Sequence, residues 1–69
     1  MSELPRAPVG RILRENGDLR ISGEATDALA ALLEKHAATL AKEAHKNAAH
    51  AGRKTVKESD VRIAADLFN

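Results

Sequence analysis

After Gly23, and as far as about Ala49, the sequence contains no proline and no glycine. Alanine, leucine, lysine and glutamate dominate that run, and all are strong helix formers. Ser22 is a good N-cap, and Glu24 suits the positive end of a helix. The run predicts one helix of about 28 residues, roughly 42 Å long at the usual rise per residue. The chain has only 69 residues. A compact globule of that size has a radius of gyration of about 11 Å and a diameter near ~28 Å. A helix longer than the globule cannot be covered by the rest of one chain.

The flanks are short. Residues 4–16 read as a helix with Val9, Ile12 and Leu13 on one stripe. Pro5 and Pro8 stand near its start, where backbone N–H groups lack helical partners. Gly10 weakens it slightly, and Gly17 is placed to end it in a left-handed conformation. Gly52 closes the long helix. A third helix follows in "ESDVRIAADLF", with Val61, Ala64, Ala65 and Phe68 on its stripe and Ile63 and Leu67 on a flank. The long helix presents Ala25, Leu29, Leu32, Leu33, Leu40 and Ala44, with His36 and Asn47 on the same stripe. The fold class is all-α: short helix, long central helix, short helix, in one domain over residues 1–69.

Small domains bury a low fraction of their surface and need disulfides, metal or a partner chain. There is no cysteine, and His36, His45 and His50 show no familiar ligand spacing. No metal or other cofactor is expected. Stability is therefore expected from an obligate, intertwined homodimer in which a second copy covers the leucine stripe. Leu29, Leu32, Leu33, His36, Leu40 and Phe68 form the expected dimer core. An extended antiparallel coiled coil is the weaker alternative, because the apolar pattern breaks at Gly17 and Gly52 and heptads are not sustained.

The net charge is only +1, from 11 Lys+Arg and 10 Asp+Glu, but the cations are grouped. Arg53, Lys54 and Lys57 share a connector without acids, and Glu58 and Asp60 follow directly. Polyanion binding would rest on this local placement rather than on bulk charge. In the intertwined dimer, "DLRIS" of one chain would lie beside "GRKTV" of the other, with Ile21 and Val56 suited to a brief strand pairing. Arg20, Arg53, Lys54 and Thr55 would then converge as a phosphate site at each end.

"LPRAPVGRI" near the start and "HAGRKTVKESDV" at the proper distance resemble an archaeal-type histone, a minimal histone fold without tails. The resemblance covers nearly the whole chain. It implies a handshake homodimer that bends and wraps double-stranded DNA without a base code, packaging the chromosome. It implies that Arg20 enters the minor groove and that Lys54 and Thr55 hold phosphates. Arg11 and Arg14 would touch the DNA backbone, with Arg6 as an added cation. Arg53 and Asp60 would form a salt bridge bracing the second loop. Asn47, His50, Asp60 and Ile63 fall at positions where dimers join into tetramers or polymers, and Gly17 where successive superhelical turns stack. Two residues depart from the family: Asn47 and His36 stand where apolar residues are usual.

Other functions are weaker. A histone-fold interaction subunit that pairs with another protein, including a histone paralogue, and barely touches DNA is the alternative that the near-neutral charge favours. A helix-turn-helix regulator needs two short helices, which the long run opposes. An enzyme is not expected, since no nucleophile, phosphate-binding glycine loop or paired carboxylate constellation is present. No apolar run spans a membrane, and "MSELPRAPVG" lacks a signal-peptide core. A cytoplasmic, chromosome-associated location is expected.

Overall fold

The computed structural model describes residues 4–68. Three helices follow in order: α1 (Arg6–Glu15), α2 (Gly23–His50) and α3 (Glu58–Leu67). No strand occurs among the described residues. The chain divides into two units, one up to Lys35 and one from His36, and α2 contributes to both.

In the first unit, α1 begins at Arg6 rather than at residue 4, because Leu4 precedes a proline and is pushed out of the helical region. Pro5 itself is extended, with ψ 133°. The helix does not end as the pattern predicted. Gly17 has no positive φ. Asn16 closes the helix instead, its Nδ2 donating to the Ile12 carbonyl at 2.7 Å. Once that orphan carbonyl is satisfied, no left-handed residue is required. At the start of α2, Ser22 Oγ accepts from the Ala25 N–H at 3.1 Å.

Val9 and Gly10 are the buried residues of α1. A Cβ on Gly10 would stand 3.3 Å from Arg14 Nη1 and 3.6 Å from Thr26 Oγ1. Gly10 is thus less a weak point than a place where α1 comes close to α2. Thr26 and Ala30 are the buried residues that α2 supplies to this unit.

In the second unit, α2 supplies Ala44 and Ala48 and α3 supplies Asp60 and Ala64. Alanines at these positions allow close helix approach. The helix end between them follows a Schellman pattern: Gly52 N–H donates to Ala49 O and Arg53 N–H to Ala48 O, each at 3.0 Å. Gly52 carries φ 72°, a left-handed conformation that costs a side-chain-bearing residue energy.

The leucine stripe is not what these contacts consume. Leu29 and Leu40 are half-buried and Leu33 is open, while Leu32 is 64% exposed. His36 and Phe68 are also exposed. The short helices sit on small residues, and the large apolar side chains remain uncovered. A shallow apolar hollow lined by Ala37, Leu40, Ala41 and Val61 lies in the second unit.

Candidate nucleic-acid interface

The connector from Ala51 to Lys57 is built around one carboxylate. Arg53 Nη1 donates to Asp60 Oδ2 and Nη2 to Asp60 Oδ1, both at 2.7 Å. Asp60 Oδ2 also accepts the Lys57 backbone N–H at 2.8 Å, which caps the first turn of α3. Arg53 Nη1 further donates to the Thr55 carbonyl at 3.1 Å. A planar fork meeting a carboxylate this way is strong and directional. The carboxylate is nearly sealed, with Asp60 only 1% exposed. Its pKa is held down from 3.8 to about 2, chiefly by the Arg53 hydrogen bonds and next by the Lys57 N–H. The Arg53 pKa is raised in return by the hydrogen bond to Asp60.

Asn47 joins the same corner from α2. Its Nδ2 donates to the Asp60 backbone carbonyl at 3.0 Å. Sequence reasoning placed Asn47 on an apolar stripe and missed this bond. The separation of 13 residues carries no local signal, although an amide one turn before a helix end is a natural candidate for a carbonyl on the next element.

The cations fall into two groups. Lys54 and Thr55 are exposed in the braced connector. Lys54 has no side-chain partner among the described residues. Three of the donors of Arg53 are committed to the loop itself. In the first unit, Arg20 is exposed in the α1–α2 connector, also without a partner among the described residues. Arg11 and Arg14 are exposed on α1, with Arg11 Nε 3.9 Å from Glu15 Oε1. Arg6 is tied down, its Nε lying 2.7 Å from Asp27 Oδ1.

The remaining assigned residues lie as follows. His50 and Ile63 are exposed, Asn47 is half-buried and Asp60 is buried. Gly17 is exposed, and a Cβ there would meet nothing within 4 Å. No group of three or more His, Asp or Glu among the described residues could hold a metal ion. No described helix is long and apolar enough to cross a membrane.

Residues 2–65 match the family described as histone-like transcription factor (CBF/NF-Y) and archaeal histone. The chain belongs to this family. Its three helices form the histone fold. It is 52% identical over 64 residues to the archaeal histone HAN1 of Thermococcus zilligii, covering 93% of this chain and 96% of that one. It is 45% identical to probable archaeal histone 3 of Methanocaldococcus jannaschii, with the same two coverages. The DNA-binding protein HmvA of that organism is 40% identical over 91% of this chain and 66% of its own length. These relatives are named as histones and DNA-binding proteins, not as enzymes.

Proposed function

We propose that this protein is a histone that packages double-stranded DNA. Two copies form a handshake homodimer, which bends and wraps the duplex by backbone contacts. The observation that carries this reading is the braced connector: Lys54 and Thr55 are held outward on a loop whose own ion pair is sealed beneath them. A loop fixed in advance presents cations to phosphate without an ordering cost at binding. Arg20 of the other copy would complete each end site in the minor groove, and Arg11 and Arg14 would contact the backbone near the dimer centre. Arg53 serves the site mainly by holding the loop.

The uncovered Leu32, Leu33, Leu40 and Phe68, with His36 among them, form the dimer core in this reading. Larger assembly would use Asn47, His50, Asp60 and Ile63. Of these, His50 and Ile63 are exposed to meet a neighbour, whereas Asp60 is already engaged within the chain. Gly17 offers an open surface for stacked turns. The protein would act at the chromosome.

Nuclease digestion of complexes with random-sequence duplex tests this reading. The expected result is protected DNA, with binding that weakens steeply as salt rises. Absence of protection and of salt-dependent binding would reject packaging and favour a histone-fold subunit directed to another protein. A footprint confined to one operator would instead indicate a sequence-specific regulator.

A further inference from the structure

Three hydrogen-bonded links meet on Asp60. Its carboxylate takes both arms of Arg53 and the N–H of Lys57. Its backbone carbonyl takes the amide of Asn47. Asn47 stands on the last turn of α2, one turn before the glycine at which the helix ends. The carbonyl of Asp60 belongs to the first turn of α3. A side chain on one helix therefore anchors the residue whose own side chain anchors the connector. The other contacts at this crossing are made by alanines, Ala44, Ala48 and Ala64. Alanine methyls fill space but do not set rotation or register. The amide bond is directional, and it is half-buried, where its loss leaves a carbonyl less well satisfied.

We propose that Asn47 is a positioning residue for the DNA-contacting connector: by fixing the Asp60 backbone against α2, it holds the Asp60 carboxylate where Arg53 and Lys57 can use it, and thereby keeps Lys54 and Thr55 presented. The DNA part rests on the function proposed above; the brace itself does not. The polar residue on the apolar stripe of α2 thus has an intrachain purpose. It replaces nonspecific packing at the α2–α3 corner with one fixed geometry.

Asn47→Asp is the sharpest test, since it keeps the shape and removes the donor. Near neutral pH the new carboxylate would face the Asp60 carbonyl and repel it. When protonated, its O–H can donate to the same oxygen, so the brace returns. The titratable or charged groups around position 47 are Glu43, Lys46 and His50 on α2, Arg53 in the connector and Asp60 on α3. The Asp60 carboxylate stays ionised down to about pH 2. The Arg53 pair therefore persists in the range where the carboxyl introduced by Asn47→Asp would regain its proton. Each measurement is a ratio to wild type at the same pH, so the titration of His50 and Glu43 cancels.

The primary readout is amide exchange at Lys57, whose N–H is bound to Asp60 Oδ2, with the Ala30 amide in α2 as internal control. At about pH 7, Asn47→Asp should reduce protection at Lys57 about fivefold, the ratio expected for one hydrogen bond of typical net strength, with Ala30 unchanged. At about pH 4 protection should return toward wild type, while Asn47→Leu stays deficient at both. Affinity for a short duplex should follow the same pattern. Unchanged Lys57 protection in Asn47→Asp near neutral pH would overturn the proposal. So would a loss equal at Lys57 and Ala30, or a loss that acid does not reverse. If no variant, wild type included, binds duplex at low salt, packaging fails, and the Lys57 readout still decides the brace.

Discussion

Asp60 illustrates how one buried carboxylate organises an exposed site. It is sealed, yet its pKa lies near 2 rather than above 3.8, because Arg53 and the Lys57 N–H stabilise the charged form more than burial opposes it. A depressed carboxylate pKa contributes stability that is complete above the unfolded pKa and is lost as pH falls through the folded one. Asp60→Asn should therefore lower the melting temperature by a constant amount down to about pH 4, and the gap to wild type should shrink between there and about pH 2. A gap that persists undiminished in thermal melts at the acid end would show that the ion pair is not its source. Lys54 makes the opposite case: exposed, unpaired among the described residues, and dispensable to the fold. Lys54→Ala should leave the melting temperature unchanged. It should weaken binding to all duplex sequences alike and reduce the salt slope by about one per neutralised phosphate, read from titrations at several salt concentrations.

At the scale of elements, helix ends separate what local rules decide from what they leave open. Gly52 and Gly17 looked equivalent as helix-stopping glycines, but only Gly52 has φ 72°. Gly52→Ala should destabilise by ~1–2 kcal/mol. Gly17→Ala, with open space around its Cβ, should be neutral or stabilising by up to ~1 kcal/mol. Chemical denaturation of the two variants distinguishes these outcomes. The helix contacts were legible in part. Alternation of apolar and polar residues located the three helices within about two residues of their observed bounds. It favoured large side chains as the packing face, however, whereas the chain buries Gly10, Thr26, Ala30, Ala44, Ala48 and Ala64. Hydrophobic periodicity weights residues by apolar size, and close helix approach selects for the reverse.

At the scale of the whole molecule, the exposed leucines govern behaviour. Leu32 at 64% exposure is a liability in a lone chain and an asset in a dimer. If the homodimer is the folded unit, the melting temperature must rise with protein concentration, since each tenfold increase favours the dimer by about 1.4 kcal/mol. A melting temperature independent of concentration, measured by circular dichroism, would contradict obligate pairing. Leu32→Asp should abolish the folded state at micromolar concentration, because it would bury an unpaired charge. Assembly on DNA has its own test. Asn47→Leu removes the brace but adds an apolar group to the face assigned to dimer–dimer docking, so nuclease-protected fragments should lengthen even where affinity per dimer falls. Fragments of unchanged length would mean that this face does not limit assembly.

The sequence by itself determined the helix count, the length of α2, the glycine stop at Gly52 and the identity of the cationic connector. Each follows from short-range rules of propensity, capping and charge, and the family-like motifs agreed with their order. It also paired Arg53 with Asp60, through resemblance rather than geometry. Only the tertiary structure decided which of the cations are committed, Arg6 to Asp27 and Arg53 to Asp60, and which stay exposed. It alone showed that Asn47 anchors α3, and that alanines and a glycine make the helix contacts. A hydrogen bond between residues far apart in the chain depends on where two helices cross, and the crossing is set by packing that no local pattern encodes.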